Sequence, residues 1–291
     1  MQTRQIGPFE VSAIGLGAMP LSSGNNVRPD EKQAFATVHA ALDAGVNFID
    51  TADIYAPSWD TMGHNEEIVG RALASYGGST DHVIVGTKAG ITRGPGETWG
   101  RDGSLAYLRT AVEASLRRLG RDVIDLYQWH RPDRSLEYAD VVGHFKTLQE
   151  EGKVRAVGIS NANIEQIDIA LEVMGADGLA SVQNEFSPRF LSSRDELDHC
   201  GRLGVAFLPW SPLGGTGRAK EVGDSSHVFA EIGGELEVSP QQVVLAWELS
   251  LGDHVVPIPG ASRPESITDS ARAPHLPLEP AHLERIESGL A

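Results

Sequence analysis

The chain has 291 residues, 41% of them hydrophobic and 22% charged, with a formal net charge of −16. That length suits one α/β barrel of about 250 residues, and the acidic balance argues against a nucleic-acid or anionic-membrane partner. Cys200 is the only cysteine, so no intrachain disulfide forms. No apolar run approaches the roughly 18 to 20 residues of a membrane span. No signal-like apolar core follows Met1-Gln2-Thr3-Arg4-Gln5, and the expectation is a cytoplasmic protein.

In chain order, residues 2 to 12 read as a hairpin. Arg4-Gln5-Ile6 and Phe9-Glu10-Val11 flank a Gly7-Pro8 turn, placed to plug one end of a barrel. Ala13 to Gly17 is a first strand whose glycines let another backbone or a ligand come close. Asp30 caps a helix with Phe35, Val38 and Leu42 on one face, stopped at Gly45. Val46 to Asp50 is the second strand. Asn65 caps the second helix, with Glu66 and Glu67 in its first turn, and Val83 to Lys88 is the third strand.

Ser104 caps the clearest helix, whose Leu105, Leu108, Val112, Leu116 and Leu119 recur at helical spacing before Gly120. Val123 to Trp129 is the fourth strand, Tyr138 to Glu151 a helix, Val154 to Ile159 the fifth strand, and Ile164 to Leu171 marks the next helix. Ser181 to Gln183 is a short sixth strand, Asp195 to Leu203 a helix, and Val205 to Leu208 the seventh strand. A glycine-rich stretch from Ser211 to about Val238 interrupts the rhythm. Ser239-Pro240 then opens a helix through Leu249, Val255 to Ile258 is the eighth strand, Pro264 starts the last helix of the repeat, and 280 to 289 form an extra terminal helix.

Strands that are apolar throughout, alternating with helices, imply parallel pairing buried on both faces. The expectation is a (β/α)8 barrel over residues 1–291 as a single domain, with an N-terminal hairpin and an extra C-terminal helix. A doubly wound open sheet is the rival, but Gly15-Leu16-Gly17-Ala18-Met19-Pro20 lacks the third glycine of a dinucleotide-binding turn.

Asp50, Tyr55, Lys88 and His130 each sit at or just beyond the end of a strand-like run, so a closed barrel brings all four to one rim. Together they suit reduction of a carbonyl by hydride transfer. The nascent alkoxide needs a proton, which Tyr55 can donate. An ammonium at Lys88 is expected to lower the phenol's pKa from about 10 by roughly 1 to 3 units. Asp50 would hold Lys88, and His130 would orient the carbonyl oxygen. Taken singly, each residue has a plainer explanation: an ion pair, a packed aromatic, a loop histidine.

Several stretches carry a resemblance: Gly45-Val46-Asn47-Phe48-Ile49-Asp50-Thr51-Ala52-Asp53-Ile54-Tyr55, Gly86-Thr87-Lys88, His130-Arg131-Pro132-Asp133, Gly158-Ile159-Ser160-Asn161, Gln183-Asn184-Glu185-Phe186-Ser187-Pro188, Ser211-Pro212-Leu213 and Ile258-Pro259-Gly260. In this order they resemble the aldo-keto reductases over essentially the whole chain. The resemblance implies a barrel that reduces aldehydes or ketones with a nicotinamide cofactor, and a catalytic tetrad of Tyr55, Lys88, Asp50 and His130. It also implies that Ser160, Asn161 and Gln183 bind the nicotinamide carboxamide and that Trp210 stacks on its ring, where the family more often has Tyr or Phe. Ser211, Leu213, Gly214 and Gly217 should line the pyrophosphate, and Gly17 and Gly260 are further cofactor-binding candidates.

At the adenosine phosphate end the family usually has Arg directly after Gly-Ala. Here the order is Ser262-Arg263, followed by Ser266 and Asp269. NADPH is therefore preferred, with NADH not excluded. Met19, Trp59, Trp99 and Trp129, with Met62, are candidates for the substrate pocket, and no metal is expected. The partner implied is a small carbonyl or alcohol; the sequence leaves the oligomeric state open. A weakly catalytic binding subunit on the same barrel, as in potassium-channel β subunits, and a Schiff-base aldolase using Lys88 are the competing functions.

Overall fold

The apolar runs assemble side by side into a parallel ring. A computed structural model describes residues 1–23, 28–175, 178–215, 217–219 and 227–290. The chain opens with β1 (Thr3–Ile6) and β2 (Phe9–Ser12), then β3 (Leu16–Gly17), α1 (Glu31–Asp43), β4 (Phe48–Asp50), α2 (His64–Ser75) and β5 (Ile84–Ala89). A second hairpin follows, β6 (Ile91–Gly94) and β7 (Thr98–Arg101), then α3 (Leu105–Leu119), β8 (Ile124–Trp129), α4 (Tyr138–Glu150), β9 (Val154–Ser160), α5 (Ile164–Met174), β10 (Leu179–Gln183), α6 (Arg194–Leu203) and β11 (Ala206–Phe207). The last helices are α7 (His227–Glu235), α8 (Pro240–Ser250), α9 (Pro264–Ser270) and α10 (Pro280–Leu290).

Strands β3, β4, β5, β8, β9, β10 and β11 pair in that order, each parallel to its neighbour. The ring closes through 255–260. Val255 bridges Phe207 on one side and Gly260 bridges Gly17 on the other, both in parallel. Val256 N donates to Phe207 O at 2.9 Å, while Pro257 and Pro259 accept from Gly15 N and Gly17 N at 2.9 and 3.0 Å. Those two prolines supply carbonyls but no N–H, so the eighth stave is thinner than the others. The fold is a (β/α)8 barrel. At the closing seam Gly17 is required, because a Cβ there would lie 2.7 Å from Ile258 O.

Strand period sorts the core into two layers. Phe48, Leu126, Ala156, Ala180, Ala206, Leu208, Val256 and Ile258 fill the inside, together with Ile6 and Val11 of the first hairpin. The hairpin thus plugs the end of the barrel at which the strands begin, with Gly7 so close that a Cβ would meet Ala180 Cβ at 2.8 Å. Residues of the opposite parity, among them Ile49, Val85, Tyr127, Val157 and Val182, face the helices.

Caps follow the sequence at three helices: Asp30, Ser104 and Ser239 accept from Gln33 N, Tyr107 N and Gln242 N. At α2 the expectation fails. The helix starts at His64 after Gly63 in the left-handed region (φ +88°), one residue before Asn65. The Asn65 side chain is buried and crosslinks loops instead, donating to Ala18 O at 2.8 Å and accepting from Thr51 Oγ1 at 2.6 Å. Two elements were not anticipated. The β6–β7 hairpin extends the loop after β5, and α7 lies inside the glycine-rich stretch, where it packs on α8 and α10.

Candidate active site

Beyond the apolar inner layer, the same strands carry polar side chains. Asp50, Lys88, Gln128, Ser160 and Gln183 sit at the ends of β4, β5, β8, β9 and β10, with inward parity. Lys88, fully buried, donates to Asp50 Oδ2 at 2.5 Å and to Thr51 O at 2.8 Å. The other carboxylate oxygen of Asp50 accepts from Gln128 Nε2 at 3.0 Å and Gln183 Nε2 at 2.9 Å. Removing one partner of such a buried, hydrogen-bonded pair typically costs about 3–5 kcal/mol.

Tyr55 hangs over this layer on a turn stitched to it. Asp53 N donates to Lys88 O at 3.2 Å, and Asn65 N to Tyr55 O at 3.1 Å. The Tyr55 hydroxyl lies 3.5 Å from Lys88 Nζ, and its ring meets that of His130 edge-on, with centroids 5.6 Å apart at 87°. His130 is fixed by its backbone, its N–H donating to Ala89 O at 2.9 Å and its carbonyl accepting from Asn161 Nδ2 at 3.0 Å. Its Nδ1 is buried and has no hydrogen-bond partner among the described residues.

The protonation states follow from burial and charge. Burial opposes the Lys88 ammonium, but Asp50 and Tyr55 outweigh it and hold the pKa above the usual lysine value. Burial, then the fields of Lys88, Arg131 and Arg101, push His130 well below the usual histidine range, so its ring is neutral at pH 7. The expectation for Tyr55 is corrected. Burial, with help from Asp50, raises the phenol above its ordinary value and exceeds the opposing pull of Lys88 and Arg131. Tyr55 is therefore a protonated donor.

Asp50, Tyr55 and His130 open into a cavity of about 820 Å3. Ser160, Asn161, Gln183, Trp210, Gly17, Ser211, Leu213, Gly217, Gly260, Ser262, Arg263 and Ser266 line it. Trp210 Nε1 is buried with no hydrogen-bond partner among the described residues, and Ser211 adopts a positive φ of 56°. Ser160 Oγ donates to Gln183 O at 2.6 Å, so the carboxamide candidates form one braced unit.

Two of the expected cofactor residues lie elsewhere. Asp269 turns from the cavity to the start of α8, accepting from Ser239 Oγ and Gln242 Nε2 at 2.6 Å each. Asp269 lies on the short helix α9, and its carboxylate takes these donors from the N-terminus of α8. Gly214 is not in the cavity wall and faces Arg189 and Arg218.

Met19 lines both the main cavity and a second one of about 530 Å3 beside it, which shares Tyr55 and His130 and is walled by Trp99. Trp59, 39% exposed, lies outside both, and Met62 packs on the small cluster of Ala52, Ile54 and Ile91. Trp129 is not a pocket residue. It follows inward-facing Gln128, so strand parity turns it to the helices, where it packs on Tyr138 (4.7 Å) and Phe145 (6.5 Å).

Sequence reasoning missed Gln128, whose signal was its inward parity beside Asp50, and Arg131, which lines the main cavity next to His130. It also missed a buried group under the Tyr55 turn. Glu66 accepts from Thr87 Oγ1 at 2.6 Å and Arg118 Nη1 at 3.2 Å. Asp53 beside it is pushed well above the usual carboxylate range, first by burial and then by Glu66.

The family model described as "Aldo/keto reductase family" matches residues 13–290. A 6-dehydroglucose reductase of Novosphingobium aromaticivorans is 36% identical, the match covering 93% of this chain and 89% of that one. A probable aldo-keto reductase 1 of Glycine max is 31% identical over 96% and 85% of the two chains. Among solved structures, a glycerol dehydrogenase of Gluconobacter oxydans superposes with a TM-score of 0.84 at 27% identity, over 99% of this chain and 95% of that one. The chain belongs to the aldo/keto reductase family and is an oxidoreductase of that family.

Proposed function

We propose that the protein reduces an aldehyde or ketone to an alcohol, with NADPH as hydride donor. The observation that carries this is the Asp50–Lys88–Tyr55 chain, which ends at the edge of the His130 ring on the wall of one long cavity. Bound in that cavity, the cofactor supplies a hydride to the carbonyl carbon. The neutral His130 ring donates an N–H to the carbonyl oxygen and fixes its direction. Tyr55 hands that oxygen a proton as charge develops on it, and Lys88, kept cationic by Asp50, stabilises the phenolate left behind. The charged state of Lys88 counts against a Schiff-base role, which needs the free amine.

The residues fit a dinucleotide. Trp210 offers a π-face to the cavity, and the positive-φ backbone at Ser211, Gly215 and Gly217 on the same wall suits a pyrophosphate. Arg263, with Ser262 and Ser266, offers a guanidinium for a 2′-phosphate, which favours NADPH over NADH. We place Tyr55, Lys88, Asp50 and His130 in the catalytic roles. The test is NADPH oxidation across a broad aldehyde panel. Turnover supports the reading; tight NADPH binding with no turnover favours a non-catalytic binding subunit instead.

A further inference from the structure

The chain carries 40 acidic residues against 24 lysines and arginines, yet its cavities invert that balance. Among the described residues lining the two cavities, Asp50 is the only carboxylate, and it is already bound to Lys88. The cations on those walls are Arg263, Arg131, Arg28 and Arg93. Arg263 answers a cofactor phosphate. Arg131 acts electrostatically on Tyr55 and His130, and Arg28 and Arg93 line the second cavity, whose wall those two residues share.

Their surroundings differ. Arg93 is held: it pairs with Glu97, donates to Ala56 O at 2.9 Å and Pro57 O at 3.3 Å, and lies 4.9 Å over the Trp99 ring, making a wall. Arg131 is exposed at the mouth, and its guanidinium has no hydrogen-bond or ion-pair partner among the described residues. Arg28 likewise lines the second cavity without a described partner. Glu185 lies in the field of Arg131, but the two form no ion pair. Two guanidiniums with no partner among the described residues, beside an aromatic wall and a proton donor, make a receptor for an acid group.

We propose that the substrate is an anion: a small carbonyl compound whose carboxylate or phosphate is gripped by Arg131 and Arg28 while its carbonyl oxygen meets Tyr55 and His130. This rests on the carbonyl-reductase reading and narrows its substrate class.

Two matched pairs test it with NADPH in excess: 4-carboxybenzaldehyde against 4-formylbenzamide, and glyceraldehyde 3-phosphate against glyceraldehyde. In at least one pair the acid should have a kcat/KM higher by about tenfold, a difference of about 1.4 kcal/mol. The gain should lie in KM, shrink as salt is raised, and fall toward unity in Arg131→Gln or Arg28→Gln. The pair that shows it tells carboxylate from phosphate. Reduction of the neutral aldehydes with no acid preference in either pair overturns the inference and leaves the reductase reading standing. A preference untouched by both substitutions overturns the assignment to these arginines. No reduction of any of the four overturns both.

Discussion

The two ends of the barrel use the same strands for opposite purposes. At the lower end Phe48, Leu126 and Ala156 pack on the hairpin residues Ile6 and Val11, and the inner layer is wholly apolar. Two residues along β4 and β8, and four along β9, those positions become Asp50, Gln128 and Ser160, joined by Lys88 and Gln183 in a hydrogen-bonded layer. Side chains of one parity therefore hold the molecule together at one end and reach the cavity at the other. Stability and chemistry should be separable by position along a strand.

The largest expected effect is at the upper end. Tyr55→Phe should lower the reduction rate by about 10²–10⁴-fold, the usual contribution of a positioned proton donor, while NADPH affinity and the melting temperature hold. Stopped-flow assays with fluorescence titration separate the two. At the lower end the pattern should reverse. Leu126→Ala, which empties a fully buried site, should cost about 2–5 kcal/mol in denaturant unfolding, with kcat per folded molecule unchanged. A collapse of kcat in a stably folded Leu126→Ala protein would break the separation.

A smaller effect is expected along the cavity. Arg263→Ala should weaken NADPH by about tenfold, on the order of 1.4 kcal/mol, and NADH hardly at all, as read by titration. Equal losses for the two would remove its phosphate role.

His130 tests the electrostatics. Its folded-state pKa lies well below the ordinary value, through burial and the nearby Lys88, Arg131 and Arg101. Below about pH 6.5, the unfolded-state histidine pKa, the unfolded chain binds a proton that the native ring refuses. Stability should therefore be undiminished above that pH and fall as pH drops below it. His130→Gln should flatten that part of the melting-temperature profile. The smallest effect is at Asp269. Asp269→Asn should leave cofactor affinity unchanged and lower only the melting temperature, since the carboxylate serves the first turn of α8.

Much of this was legible in the sequence, for identifiable reasons. Buried parallel strands are short apolar runs between capped helices, so β4, β5, β8 and β9, with α1, α3 and α8, stood out, and the positions of Asp50, Tyr55, Lys88 and His130 at one rim came with the strand ends. What was missed depended on direction or on distant partners. Trp129 read as a rim residue until its parity beside Gln128 was fixed by pairing with Ile159 and Ala89. Asn65 has the composition of a cap, but Gly63 in a left-handed conformation starts the helix earlier and frees Asn65 to tie loops together. The rise of the Tyr55 pKa was illegible because burial, invisible in sequence, outweighs the charge at Lys88 that sequence does reveal.

The central claim is that a cofactor lying in the long cavity presents its reactive ring to the Tyr55 hydroxyl. A crystal structure with NADP⁺ tests it most directly. The account predicts the nicotinamide against Trp210, with its carboxamide on Ser160, Asn161 and Gln183, its reactive carbon facing the space beside Tyr55 and His130, and the 2′-phosphate at Arg263. A nicotinamide bound away from Tyr55, or a dinucleotide running outside this cavity, would contradict it.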